Sequence, residues 1–157
     1  MKGQMEPFND YSIPRVSQLT QRSNQFNLRT QRYNESEIIA FVNSKDHITF
    51  QISLQDKYGE YGIISLLILE HRDKELFIDT WIMSCRVLKR DVEKFVMNRL
   101  VKKAKELNAD RIVGEYLETR KNGIVKDHFK NLGFLQSENK WVLNIEDYEE
   151  MSCEIDS

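Results

Sequence analysis

Between residues 47 and 83 the chain changes its hydrophobic period, and that change limits the folds open to it. The stretch His47-Ile48-Thr49-Phe50-Gln51-Ile52-Ser53-Leu54 alternates apolar and polar residues, the pattern of a strand with one buried face. Two apolar runs follow, IISLLILE (63–70) and LFIDTWIM (76–83), and the second has the near-continuous apolar character of a strand covered on both sides. The turn-forming QDKYGEYG, with Asp56, Gly59 and Gly62, separates the first strand from the second, and His71-Arg72-Asp73-Lys74-Glu75 separates the second from the third. Connections this short join antiparallel neighbours. A three-stranded meander is therefore expected at the centre of the protein.

Helical spacing takes over at Val92, where apolar residues fall at Val92, Phe95, Val96, Leu100, Ala104 and Leu107, all on one helix face, with Asn108 as the stop. A strand over 111–117, a short helix over 123–132 closed by Gly133, and a last strand over 140–145 complete the pattern. Ahead of the meander, Pro14 opens a helix over 15–26 that aligns Val16, Leu19, Ser23 and Phe26. Asn34, followed by Glu35 and Glu37, caps a second helix that ends at Asn43-Ser44. Residues 1–13 read as a lead-in of mixed composition. The segment 147–157, part of a stretch from Glu146 onward that holds six acids, reads as a tail mobile at its end. The order is helix, helix, three antiparallel strands, helix, strand, helix, strand, which predicts a single α/β (α+β) domain over 1–157.

At 157 residues such a domain buries a core without disulfides or a structural metal. A net charge of −2 gives no global case for nucleic acid, so any anion site must be local. With two cysteines, Cys85 and Cys153, a disulfide framework is not expected, and a reduced cytoplasmic setting is the simpler reading. The amino-terminal MKGQMEPFNDYS has no apolar h-region, and no run approaches the roughly 18 apolar residues of a spanning helix. His47 and His71 have no ligand-like spacing with each other or with Cys85, and no metal motif is found.

The junction MSCRVLKRDVEKF (83–95) gathers a thiol and three cations where the third strand gives way to the long helix. A thiolate at Cys85 would be stabilised by Arg86, Lys89, Arg90 and the helix N-terminus, and could accept an acyl group. Equally, Cys85 reads as a small residue packed at a strand end. Arg86, Lys89 and Arg90 suit a phosphate, with helix N–H groups completing the cradle, or else are solvated flanks. Asp91 opposes the first of these readings, because an N-cap aspartate would take those N–H groups itself. Two-residue alternation puts Asp79 on the same side as Trp81, Met83 and Cys85, as a base, a substrate-orienting group, or a carboxylate hydrogen-bonded at a sheet opening. Glu115, Tyr116 and Thr119 leave the next strand near the same cleft, where loop packing is their alternative.

The step at 83–95 resembles the acyl-CoA-binding core of the GNAT acyltransferases, whose loop pattern is Gln/Arg-x-x-Gly-x-Gly/Ala. Arg86-Val87-Leu88-Lys89-Arg90-Asp91 keeps the first position and loses both small ones. A second GNAT signature, an Asn ahead of a short helix ending in Gly-Phe, is matched by Asn122 through Gly133-Phe134. The tyrosine often found in that helix, which can protonate a departing thiolate, is replaced by Phe129. His128 beside it is either a substitute acid or an exposed histidine. Three segments, 15–33, 79–90 and 113–134, further resemble the carboxy-terminal GNAT-like domain of FkbH-like proteins, a haloacid-dehalogenase (HAD) subfamily IIIC group.

That resemblance implies a GNAT-like fold, a mixed and mostly antiparallel central sheet flanked by helices. It also implies transfer of a small acyl group, glyceryl among the possibilities, to or from the thiol of an acyl carrier protein or CoA, by a covalent acyl-cysteine route at Cys85. CoA or carrier phosphopantetheine is the implied cofactor, and Asn24, Phe26 and Asn27 of NQFN would line the acceptor side unless they are buried polar caps. The HAD-like phosphatase domain that precedes this half in relatives is expected to be absent, since the chain has no Asp-x-Asp pair, and would be a separate partner. The rival expectation is a noncatalytic domain that docks a carrier protein or organises a phosphatase.

Overall fold

The computed structural model describes residues 2–22, 28–29, 31–56, 59–84, 91–120, 122–153 and 155. Its centre is the meander, β2 (His47–Asp56), β3 (Gly59–Arg72) and β4 (Glu75–Met83), paired antiparallel in sequence order. One more strand lies ahead of it, β1 (Lys2–Glu6), and beyond it come β5 (Arg111–Gly114), β6 (Leu135–Ser137) and β7 (Lys140–Asn144). The described strands form one seven-stranded sheet in the order β1-β2-β3-β4-β5-β7-β6. Only the β4–β5 pair among them is parallel, because a helix long enough to cross the sheet separates those two strands.

That helix is α3 (Val92–Glu106), and its buried face is the one the spacing predicts, with Val92, Phe95, Val96, Leu100 and Ala104 inward together with Met97 and Val101. Past its last residue, Glu106, and the cap Leu107, the stop comes at Asn108, whose φ of 57° lets the Ala109 N–H reach back to the Ala104 carbonyl at 2.9 Å. On the opposite face of the sheet lie α1 (Ile13–Arg22) and α2 (Glu35–Asn43). Asn34 accepts from the Glu37 N–H at 2.8 Å, and Glu37 returns the bond to the Asn34 N–H at 3.1 Å, closing the box expected of this cap. Two apolar clusters result. The larger joins α3 to the sheet, and the smaller joins Ile13, Val16 and Ile38 to Leu66, Ile68 and Ile82.

Helix α1 begins at Ile13 and is described as far as Arg22, and Ser23 and Phe26 of the expected 15–26 lie outside the described residues. The expected helix over 123–132 divides into a 3₁₀ turn (Gly123–Val125) and α4 (His128–Asn131). The strand expected over 111–117 ends at Gly114. Within the lead-in, residues 2–6 are the edge strand β1, and Gly3 is the reason a tail can pack over it. A Cβ there would lie 2.8 Å from Ile155 and 3.0 Å from the Phe95 ring.

The acidic tail is likewise docked where it is described. Asn98 on α3 bonds both the N–H and the carbonyl of Met151 at 2.9 Å and accepts from the Tyr148 hydroxyl, and Ile155 is 4% exposed. Burial raises the Tyr148 phenol to about 12, the Met151 backbone hydrogen bond acting against it. Among the described residues no helix is long and apolar enough to cross a membrane.

Gly114 tests the packing between β5 and α4. A Cβ at this position would stand 2.3 Å from the buried Phe129 ring, whereas one at Gly123 would meet nothing within 4 Å. Gly114→Ala is expected to lower the free energy of unfolding by about 1–3 kcal/mol, the usual cost of overpacking. Gly123→Ala should stay within about 0.5 kcal/mol of wild type. Urea titration of the two variants measures the contrast.

Candidate functional site

The site grows from one extra residue in β4. Leu69 pairs with Ile78 and Ile68 with Thr80, so Asp79 has no opposite number on β3 and forms a β-bulge. A bulge reverses the parity of everything beyond it. Leu76 and Ile78 face the α3 side, and so do Trp81 and Met83, an odd step later. Asp79 is thus turned away from Trp81 and Met83, correcting the alternation read from the sequence. Its carboxylate meets residues of the α1–α2 side.

The bulge also marks where β4 leaves β5. Their pairing runs from Glu75↔Arg111 to Phe77↔Val113 and stops, while β4 continues to Met83. Two residues of the connection between α1 and α2 bridge the opening. Leu28 accepts through its carbonyl from the Leu117 N–H at 2.8 Å. Arg29 donates through Nη1 to the Asp79 carbonyl at 2.8 Å and to Asp79 Oδ1 at 3.1 Å, and through Nε to Glu115 Oε1 at 3.0 Å. Its guanidinium stands 5.2 Å from the centroid of the Phe77 ring, an aromatic face that suits a cation.

Asp79 is held from both sides. Oδ2 accepts from the Tyr33 hydroxyl at 2.7 Å and from Thr80 Oγ1 at 2.8 Å, while Oδ1 is paired with Arg29. Burial, together with the hydrogen bond to Asp79 and its negative charge, pushes the Tyr33 phenol well above its ordinary range, so it remains a donor. A carboxylate tied by three donors orients its neighbours, and this environment speaks against Asp79 as a free base. Glu115 differs, since its Oε2 forms no hydrogen bond among the described residues and its side chain is 21% exposed.

The other expected residues divide. Asn122 is fully buried, and its Oδ1 accepts from the Thr119 N–H at 2.8 Å and from the Tyr116 hydroxyl at 3.1 Å. Its Nδ2 donates to the Leu117 carbonyl at 2.9 Å, and its own N–H to Thr119 Oγ1 at 3.2 Å. Those contacts make Asn122, Thr119 and Tyr116 a stitch that fixes the loop carrying Glu115. Burial, then the charges of Glu118 and Asp127, raise the Tyr116 phenol.

His128 is buried rather than exposed, its ring edge-on to Trp81 at 4.4 Å, and burial lowers its pKa to about 3. A histidine that is neutral at pH 7 has no imidazolium proton to give as an acid. Phe129 is buried as well, so neither position supplies the acid expected in that helix. Asp91 occupies the N-cap of α3 but has φ 65°, makes no side-chain cap hydrogen bond, and pairs with Lys94 at 3.5 Å. Capping needs extended backbone, which this left-handed residue lacks, and its carboxylate does not take the first-turn N–H groups. Cys85, Arg86, Lys89, Arg90, Asn24, Phe26 and Asn27 lie outside the described residues. The sequence reading singled out neither Leu28, Arg29 nor Tyr33. The available signal was Asp79 itself, since a carboxylate within an apolar strand requires donors from elsewhere.

No family model and no curated protein matches the chain by sequence. Solved structures match in three dimensions. The ribosomal-protein-S18-alanine N-acetyltransferase of Escherichia coli aligns at 12% identity over 97% of each chain with a TM-score of 0.68. Spermidine N-acetyltransferase of Vibrio cholerae, solved with CoA and spermine, aligns at 10% identity over 94% of this chain and 98% of that one, TM-score 0.69. The GNAT domain of S. lividans PAT aligns at 12% identity over 90% of each, TM-score 0.67. The chain therefore has the GNAT acyltransferase fold, a mixed and mostly antiparallel sheet flanked by helices.

The burial of His128 has a pH signature. Unfolded, it titrates near its ordinary 6.5; folded, it titrates at about 3. Below pH 6.5 the unfolded chain gains a proton that the folded chain does not, so stability that is complete above 6.5 is lost as the pH falls toward 3. Between about pH 7.5 and pH 5.5 the loss is about 1.4 kcal/mol. Urea unfolding should show wild type losing that much more than His128→Leu, and equal losses would mean a protonated His128 in the folded protein.

Proposed function

We propose that the chain is an acyltransferase that moves a small acyl group carried as a thioester. The observation that carries this reading is the opening between β4 and β5, with Glu115 at one lip, the bulged Asp79 at the other, and the α3 N-terminus following β4. These residues fit CoA or the phosphopantetheine of a carrier protein. Past the residues bridged by Leu28 and Arg29, β4 runs on to Met83 without β5 paired to it, which suits an extended chain, and Asp91 leaves the first-turn N–H groups to a phosphate. Arg86, Lys89 and Arg90 would pair with that phosphate. The solved relative that holds CoA supports the same ligand.

The thioester supplies an activated acyl carbon. Glu115 Oε2 takes the proton of the attacking amine, hydroxyl or thiol as the new acyl bond forms and the C–S bond breaks. That proton is returned to the leaving thiolate, so the carboxylate is regenerated. Arg29 fixes Glu115 through its other oxygen, and Asp79, Tyr33 and Thr80 hold Arg29 in place. In the covalent variant Cys85 accepts the acyl group first and passes it to the final thiol.

Within this reading the chain acts as the GNAT-like domain of an FkbH-like protein. The acyl unit is then glyceryl, the thiol partner an acyl carrier protein or CoA, a separate HAD-like phosphatase a companion, and the cytoplasm the setting. One relation supports the link. Each of the three segments that carry the resemblance supplies one member of the bridging triad, Arg29 from 15–33, Asp79 from 79–90 and Glu115 from 113–134. The noncatalytic docking reading is favoured by the burial of His128 and Phe129, which leaves the helix without an acid at either position.

Calorimetry with CoA, and mass spectrometry after incubation with acetyl-CoA and glyceryl-carrier thioester, separate the two. The catalytic reading expects CoA binding, a fall of roughly tenfold or more on replacing Arg86, Lys89 and Arg90 by alanine, and an acyl mass at Cys85. Unchanged transfer by Cys85→Ala would remove the covalent variant alone. Capture of the carrier with neither CoA binding nor any adduct would select the docking reading. Asp91→Gly should raise the melting temperature, since φ 65° costs an L residue about 1 kcal/mol and glycine almost nothing.

A further inference from the structure

Among the described strands, β1 and β6 lie at the two edges of the sheet, and they differ. β6 is three residues long and carries no charge, whereas β1 pairs with β2 over all five of its residues without a shift in register. No backbone hydrogen bond reaches the outer side of β1 among the described residues. Edge strands are commonly protected by a bulge or a proline within them. β1 has neither, since Pro7 comes only after its end. Its residues read Lys2-Gly3-Gln4-Met5-Glu6, a cation and an anion placed evenly about a central amide. Four residues along one strand set the two charges about 13 Å apart, too far to pair with each other. Among the described residues neither has an ion pair elsewhere. Glu6 accepts only from amides, Gln51 Nε2 at 3.2 Å and Gln4 Nε2 at 3.4 Å, which hold the carboxylate in place without balancing its charge.

We propose that β1 is a self-complementary edge at which two copies of this chain pair antiparallel, about a two-fold axis that relates Gln4 to Gln4. In that register Lys2 stands opposite Glu6 of the second copy and Glu6 opposite its Lys2, so both uncompensated charges find a partner. These residues and Gln4 lie on the sheet face away from α3. On the α3 face Met5 comes opposite Gly3, a position with no side chain, and no two bulky groups compete. Opposite charges directly across a strand pair are favourable and like charges are not. Slipping the pairing by two residues sets Lys2 or Glu6 against Gln4, and parallel pairing in register sets like charges side by side, so the charges select this one arrangement. It is an isologous contact that closes on itself, joins the two seven-stranded sheets into one, and gives the outer backbone groups of β1 their missing partners. The assignment is independent of the acyltransferase reading, because β2 and β3 stand between this edge and the opening beside β4.

The test is sedimentation velocity from about 5 to about 500 µM protein, a range that catches the weak association expected of so short a contact, with circular dichroism to confirm folding. Wild type is expected to dimerise. Lys2→Glu and Glu6→Lys each set like charges opposite one another at both ends of the contact, and each should weaken the dimer by roughly tenfold or more. Mixed in equal amounts, the two variants restore opposite charges across a heterodimer and should associate as wild type does. The double variant Lys2→Glu/Glu6→Lys should likewise recover self-association. Lys2 is exposed, so Lys2→Glu decides the matter if Glu6→Lys does not fold. A monomer throughout the range, a dimer unmoved by Lys2→Glu, or two folded single variants whose mixture stays monomeric overturns the assignment.

Discussion

Asp79 is one residue more than β3 can pair, and the geometry of the site follows from that surplus. A strand that must accommodate an extra residue bends and twists. Here the bend falls where β4 would otherwise continue alongside β5, so the two separate after three residue pairs. Separation strips neighbouring backbone groups of their sheet partners, and unpaired backbone polar groups are costly unless something reaches them. Leu28 and Arg29 do so from a connection far away in sequence. Arg29 suits the task because its planar fork can serve a carbonyl and two carboxylates at once, and because the Phe77 ring offers it an aromatic face. Arg72 and Lys140 stand 4.2 and 5.8 Å from the same ring, so this part of β4 is a platform for cations.

The same surplus explains where reading the sequence succeeds and where it fails. The meander, the face of α3, the Asn34 cap and the Asn108 stop are legible because each is set within a few neighbouring residues by period or by side-chain chemistry. Parity along β4 is not. Nothing in LFIDTWIM says that Asp79 is unpaired, and one unmatched residue moves it away from Trp81 and Met83. Edge strands are silent for another reason. β6 is exposed at all three positions and β1 offers only Gly3 and Met5 inward, so neither needs the apolar alternation that marks a half-buried strand. Residue type alone makes Asp91 a cap, but capping also requires extended backbone, and its φ of 65° is a property of the turn.

The candidate site was half legible for related reasons. Asp79, Glu115, Tyr116, Thr119 and Asn122 were found as polar residues near strand ends, and the structure sorts them by what they touch. Asn122, Thr119 and Tyr116 spend their polar atoms on one another and on the loop, Asp79 is saturated by Arg29, Tyr33 and Thr80, and Glu115 keeps an oxygen. Reading residues singly cannot make that distinction, because it depends on partners 46 to 86 positions away.

The sorting also constrains how protons can move. His128 and Phe129 occupy the helix from which a tyrosine acid would be expected, and both are buried, the histidine held neutral by its surroundings. Tyr33 and Tyr116 keep their protons because burial raises both, and each already donates its hydroxyl hydrogen bond within the protein, Tyr33 to Asp79 and Tyr116 to Asn122. Asp79 already accepts from three donors, Arg29, Tyr33 and Thr80. Glu115 is then the group at this opening, among the described residues, with both a free oxygen and solvent contact. Acyl transfer from a thioester needs one proton removed from the nucleophile and one delivered to the leaving sulfur, and a single carboxylate can do both in turn. Arg29 fixes that carboxylate through one oxygen and leaves the other without a hydrogen bond among the described residues.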